Sequence, residues 1–238
     1  MLMQMALLGS GGSAAELPAG WALAMSFSDN NGGVKAGSGF NVTKHGTPRW
    51  ESTGGRDNGG SLGQSGRGTT SSDCYQMRSG TTTYPGSLPS FNNGKSACLW
   101  YKGTNNDTSG SYTSGTVMFG DTRGSVWGSW GLRNGHPSHD HGSNHYNSNV
   151  AVRDGNWHHI AWVYKGDDSK ISFYVDGNYT NHQNNPAQST NMHTDYITGH
   201  YAYGNANWPD RIDDVVVYDR ELTASEVSDI FYYGTFDW

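Results

Sequence analysis

Two neighbouring runs, Trp157–Lys165 and Lys170–Val175, constrain this chain more tightly than any other stretch. Both are rich in aromatic and β-branched residues, and both alternate with a period of two, the pattern of a strand in a sheet. In the first, Trp157, His159, Ala161 and Val163 face one way while His158, Ile160, Trp162 and Tyr164 face the other. In the second, Ile171, Phe173 and Val175 oppose Ser172, Tyr174 and Asp176. Gly166-Asp-Asp-Ser169 is a short hairpin connection, and Asp176-Gly177 marks the next reversal. Apolar side chains on both faces of the first strand require packing on each side of the sheet. A two-layer, all-β domain is predicted.

A chain of 238 residues suits one such sandwich. Its 34 glycines, nine tryptophans and fourteen tyrosines, with only 15% charged residues, fit strands joined by long polar loops. The formal net charge is −6 and the pI about 5.9. Basic residues stand singly, so no patch can neutralise several phosphates, which argues against nucleic acid. Met1–Leu8 is apolar but lacks a basic flank and is too short to span a bilayer. Neither membrane insertion nor a convincing signal peptide is expected. Residues 1–15 read instead as an N-terminal arm, and residues 16–238 as a single domain. An apolar arm needs a covering surface, which makes it a route to a homo-oligomer. Cys74 and Cys98, the two cysteines, either pair in a disulfide or both stay reduced.

Along the chain, Trp21–Phe27 alternates as an early strand and ends in the loop Ser28-Asp-Asn-Asn-Gly-Gly33. Residues 51–93 are Gly-rich and irregular, an elaborated excursion expected to contain short β-pairs near Tyr75–Arg78. Ser96–Lys102, Thr116–Phe119 and Ser125–Leu132 read as strands, and His136–His145 as a polar loop. A second polar excursion runs from Thr180 to His193, with weaker strands at Tyr196–Thr198 and Tyr201–Tyr203. Ile212–Tyr218 is mostly apolar and therefore central. Thr223-Ala-Ser-Glu226 forms a capping box ahead of the stripe Val227, Ile230 and Phe231, which predicts one short C-terminal helix.

Four pieces together resemble the laminin-G-like branch of the concanavalin A-like lectin/glucanase superfamily. They are Ala24–Gly32 with His45-Gly46, Leu88–Lys102, Asp154–Tyr164 with Phe173–Gly177, and Arg211–Glu226. The resemblance implies a jelly-roll β-sandwich of two curved antiparallel sheets, often binding carbohydrate at its loops or concave face. It also implies a structural calcium joining the first-strand loop to the C-terminal strand, where Asp29, Asn31 and Asp213 match. Oxygen-rich loops of this kind suit a hard cation. The alternative is that Asp29 ends a strand and Asp213 accepts hydrogen bonds from the backbone or Arg211.

The superfamily includes glycoside hydrolases, whose chemistry needs two carboxylates facing one groove. Here the glutamates are Glu16, Glu51, Glu221 and Glu226, none paired on a strand, and adjacent Asp213 and Asp214 are expected on opposite faces. A hydrolase is therefore the least favoured reading, and no catalytic residue is assigned. His139, His141 and His145 have a spacing from which three imidazoles converge on a transition metal, or else simply line a polar loop. Sugar binding needs aromatic faces and amides. Trp127, Trp130, Tyr146, Trp162, Tyr201, Tyr203 and Trp208 supply the first, although Trp162 also suits the core, and Asn144, Asn147, Asn149 and Asn205 supply the second.

Two functions remain in competition. One is a non-catalytic carbohydrate-binding or adhesion module on an extracellular, cell-facing surface. The other is a structural protein of a viral particle or surface assembly, packing against other subunits through the fold and the apolar arm.

Overall fold

The computed structural model describes residues 17–27, 33–36, 40–45, 50–57, 59–63, 74–79, 94–104, 116–120, 128–141, 144–166, 170–184, 196–197 and 211–233. The N-terminal arm, Asp29, Asn31, Trp127, Tyr201, Tyr203, Trp208 and the expected strand Tyr201–Tyr203 lie outside them. In chain order the strands are β1 (Trp21–Ser26), β2 (Gly33–Ala36), β3 (Phe40–His45), β4 (Trp50–Glu51), β5 (Ser61–Gly63), β6 (Cys74–Ser79), β7 (Lys95–Lys102) and β8 (Thr116–Gly120). They continue as β9 (Gly128–Arg133), β10 (His136–His141), β11 (Asn144–Asn147), β12 (Trp157–Lys165), β13 (Lys170–Val175), β14 (Asn178–Asn184), β15 (Tyr196–Ile197) and β16 (Arg211–Tyr218). Helix α1 (Ala224–Tyr233) follows.

Two antiparallel sheets form a jelly-roll-like sandwich. The first runs β14-β13-β12-β7-β16-β1-β2, with β5 beside β16 and β4 on β5. The second runs β11-β10-β9-β8-β15-β6-β3. The β12–β13 hairpin has the register Ile160↔Val175 through Lys165↔Lys170. Its alternation divides the core as the sequence predicts. Ile160, Trp162, Ile171 and Phe173 face the second sheet, whereas Ala161, Val163 and Tyr174 face outward to a second cluster with Val227 and Ile230 of α1. Trp162 stacks on Trp130 at 6.2 Å between centroids, and its indole N–H donates to Ser138 O across the sandwich at 2.9 Å. Burying an aromatic side chain of this size contributes about 2 kcal/mol or more.

The helix is capped as its sequence requires. Glu226 N–H donates to Thr223 Oγ1 at 3.2 Å and Thr223 N–H to Glu226 Oε2 at 2.8 Å. Arg220 clamps the same carboxylate at 2.7 and 3.1 Å, holding Glu226 near a pKa of about 2.

Other expectations change. His136–His145 is not a loop but contains β10 and β11, paired as Ser138↔Asn147 and His139↔Tyr146. Asn134-Gly135, with φ of 53° and 76°, is the tight turn that starts this ribbon. The start of the Thr180–His193 excursion belongs to edge strand β14, which pairs Ile171↔Gln183 and Phe173↔Asn181. Within residues 51–93 the short β4–β5 pair is present, while β6 pairs instead with β3 and β15. Asp213 and Asp214 do not simply alternate, because β16 is irregular between Asp213 and Val216 and Asp214 has φ 45°.

Candidate functional site

Carboxylates, an arginine and histidines, the residue types that most often carry chemistry, gather on the outer side of the first sheet. The β16 bulge lets both carboxyls reach one residue. Arg56 N–H donates to Asp213 Oδ2 at 3.1 Å, and the Arg56 guanidinium meets Asp214 Oδ2 at 3.1 Å. Asp213 Oδ1 accepts Asp214 N–H at 3.0 Å. The guanidinium also covers the Trp100 ring, 4.2 Å from its centroid. Burial pushes both carboxyl pKa values up, and the charge of Asp213 pushes Asp214 further. Gly55 seals the floor, since a Cβ there would lie 2.9 Å from Asp213 Oδ2. Asp213 thus accepts backbone hydrogen bonds, while Arg211 turns away to Thr53 O and Gly54 O. The Arg56 guanidinium supplies positive charge beside the two carboxyls. Asp29 and Asn31, the rest of the expected calcium set, lie outside the described residues. Among those residues no three His, Cys, Asp or Glu side chains are grouped to hold a metal.

Beside this cluster, His158 spans two turns, Nδ1 to Asp176 Oδ2 at 2.8 Å and Nε2 to Asp154 Oδ1 at 3.0 Å. The hydrogen bond to Asp176 raises its pKa and favours the protonated ring, which can donate from both nitrogens. Asp154 is held at about 2, first by the Asn156 backbone N–H. His159, its neighbour, is 1% exposed between Trp100 and Phe231, and neither ring nitrogen has a hydrogen-bond partner. Burial lowers its pKa to about 3 and keeps it neutral. Arg56, Asp213 and Asp214 bind one another, as do His158, Asp154 and Asp176.

Several expected site residues belong to the core. Trp130 is fully buried and is no platform for a sugar. Tyr146 is partly buried, packs on the same core and stacks on His139 at 5.8 Å. His139 is itself buried facing the core, whereas His145, one position from Tyr146 in β11, alternates to the opposite face. The His139, His141 and His145 set therefore does not converge. Cys98 is a free, buried thiol in the cluster beneath α1, and Cys74 begins β6 in the other sheet, so the disulfide alternative is not realised. Asn144 opens β11 opposite His141.

The open surface lies elsewhere, where the two polar excursions meet. Asn181 points inward from β14 and closes the side of the sandwich. Its Nδ2 donates to Asn147 O at 3.0 Å, and its Oδ1 accepts Asn149 N–H at 3.1 Å. Ser148 and Thr180 hydroxyls meet at 3.1 Å. Asn147 Oδ1 is buried with no hydrogen-bond partner. On the outer face of β14, Tyr179 stands edge-on to Tyr174 at 5.6 Å, and its hydroxyl lies 2.6 Å from His182 Nδ1. The large exposed hydrophobic side chains among the described residues are Val150, Tyr179 and Tyr232. Tyr179 sits on this strand, Val150 follows the loop bonded to Asn181, and Tyr232 lies in the last turn of α1, a helix that contacts β14. Tyr179 and His182 escape a sequence reading because β14 reads as loop. The turn Asp176-Gly177 before a period-two run was the available signal.

A laminin-G family model, described as the Concanavalin A-like lectin/glucanases superfamily, matches residues 78–228. No curated protein matches the chain in sequence. Among solved structures, the binding domain of Paraclostridial Mosquitocidal Protein 1 is similar, with TM-score 0.64 and 12% identity over 89% of this chain and 52% of that one. The binding domain of botulinum neurotoxin DC in complex with SialylT gives TM-score 0.63 and 12% identity over 92% and 52%. Domain 4 of AbnA, a GH43 extracellular arabinanase from Geobacillus stearothermophilus in complex with arabinotriose, gives TM-score 0.59 and 20% identity over 89% and 98%. The chain spans about half the length of the toxin binding domains.

Proposed function

The chain belongs to the concanavalin A-like lectin/glucanase superfamily, and from that premise we propose that it is a non-catalytic, extracellular carbohydrate-binding module that reads glycans along β14. The carrying observation is Tyr179, exposed on the outer face of an amide-rich edge strand. A pyranose ring offers C–H faces to an aromatic ring and hydroxyls to amides, and β14 offers both kinds of partner. Strand edges add backbone N–H and C=O groups free of sheet pairing. The complexes of AbnA domain 4 with arabinotriose and of the neurotoxin domain with SialylT support glycans as the ligand class.

The buried carboxyl pair supports binding rather than hydrolysis. Asp213 and Asp214 are 1% and 7% exposed and bonded to Arg56, whereas a glycosidase needs both carboxyls open to the scissile bond. The assembly reading draws on the long polar excursions and on the apolar arm Met1–Leu8, which lies outside the described residues. No helix among the described residues is long and apolar enough to cross a membrane.

Screening the purified chain and its Tyr179→Ala variant on a glycan array tests the proposal. Saccharides retained by the parent and lost by the variant are expected. An array on which the parent retains nothing sinks it.

A further inference from the structure

We infer that the outer face of β14 holds a chain of at least two linked sugar units, one on Tyr179 and the next at His182, rather than a single terminal sugar; this rests on the carbohydrate-binding reading and deepens it. Residues three apart on a regular strand point to opposite faces. β14 departs from that rule because it pairs Tyr174↔Tyr179 but Phe173↔Asn181, which leaves Thr180 as an extra, bulged residue. Thr180 Oγ1 donates back to Phe173 O at 3.0 Å, which ties the bulge to β13. Tyr179 and His182 therefore share the outer face, and both are exposed. Asn184, opposite Lys170, is exposed as well and continues the row.

The two rings form one shallow platform. They are inclined by only 33°, with centroids 6.5 Å apart. The contact of 2.6 Å between the Tyr179 hydroxyl and His182 Nδ1 fixes the imidazole at the end of the phenol. Tyr174 stands edge-on to Tyr179 at 5.6 Å and supports it from β13. With Nδ1 engaged, Nε2 is the imidazole nitrogen left to bond a sugar hydroxyl. From Tyr179 to Asn184 the partners on β13 advance from Tyr174 to Lys170, a distance of about 13 Å along the strand. That length exceeds one pyranose ring. A sugar stacked on Tyr179 covers the phenol, and a second unit linked to it comes to lie at the imidazole, within reach of the Asn184 amide.

The test uses an array printed with xylo-, arabino-, gluco- and galacto-oligosaccharides of one to four units, followed by titration calorimetry on each series retained. Affinity should rise at least about tenfold from the monosaccharide to the trisaccharide, the scale of one added ring contact with its hydrogen bond. His182 is exposed, so His182→Ala leaves packing intact and should bring the ratio between those two members close to one. A merely structural role would weaken every member alike and leave the ratio unchanged. Tyr179→Phe keeps the ring but loses the bond that fixes His182, and should lower the same ratio by a smaller factor. Equal affinity along the series, or an unchanged ratio in His182→Ala, overturns the chain reading and leaves the carbohydrate site standing. Retention of no saccharide overturns both.

Discussion

The Arg56–Asp213–Asp214 cluster and the β14 edge are both polar, and they differ in what their polar groups are bonded to. In the cluster, both carboxyls reach Arg56, the guanidinium lies on Trp100 and Gly55 closes the space above Asp213. Along β14 the amides tie two sheets together, while the Tyr179 ring stays exposed and the strand lies at the sheet edge among the described residues. The residues that look reactive hold the sandwich together, and the residues that look bland offer the surface. Charge density is a poor guide to exposed surface in this chain.

The difference can be broken at either end, and Arg56→Ala should have the largest effect. It strands a buried carboxyl pair and should cost about 3 kcal/mol or more of unfolding free energy in urea titration. Recovery of that stability on adding calcium would instead identify Asp213 as a metal ligand. The pair should also set a pH slope. Its folded pKa values lie at about 6 and about 8, above the ordinary 3.8, so its contribution is fully present below that value and is lost as pH rises through them. Asp214→Asn should flatten the fall in melting temperature between pH 5 and 9, the range about those values. An unchanged slope would mean that the carboxyls are not the source.

Asn181→Ala removes two hydrogen bonds at the seam and should cost about 1 kcal/mol, with a loss of saccharide affinity. Thr223→Ala, which removes the helix cap, should cost about the same and leave affinity untouched, so the two separate packing from recognition in one set of melts and titrations. Tyr179→Ala should give the smallest stability change, within about 0.5 kcal/mol, with the largest affinity loss. If it destabilises as much as Arg56→Ala, the contrast between the two regions fails.

The framework was legible because its signals are local and periodic. Trp162 and Phe173 announce a buried face by alternation, and Thr223 with Glu226 announces a helix start. The site was less legible for two reasons. Strands β10, β11 and β14 are built from His, Ser, Asn and Gln, whose β-propensity is weak, so pairing to neighbours rather than composition makes them strands. Asn134-Gly135 was the clue that the His136 segment turns back as a ribbon. The second reason is that opposite roles fall on similar residues. Trp130 looks like a sugar platform and is core, while Tyr179, with an equally ordinary sequence context, is exposed. Only the pairing of β14 with β13 settles which way it faces. The Asp213–Asp214 bulge likewise defeats the rule that adjacent strand residues point apart.

Asp176 has a consequence for recognition although it touches no ligand. Its two oxygens hold the His158 ring and the His159 N–H, at 2.8 and 2.9 Å, in a turn with φ 51° that leads directly into β14. Gly177, the next residue, is packed so closely on Phe231 that a Cβ would lie 2.9 Å from the ring. The start of β14 is therefore anchored to β12 on one side and to α1 on the other before any saccharide arrives. Tyr179 lies two residues beyond this anchor. A saccharide bound along β14, as proposed, would order little more than itself, which lowers the entropy lost on association and lets a small contact surface suffice.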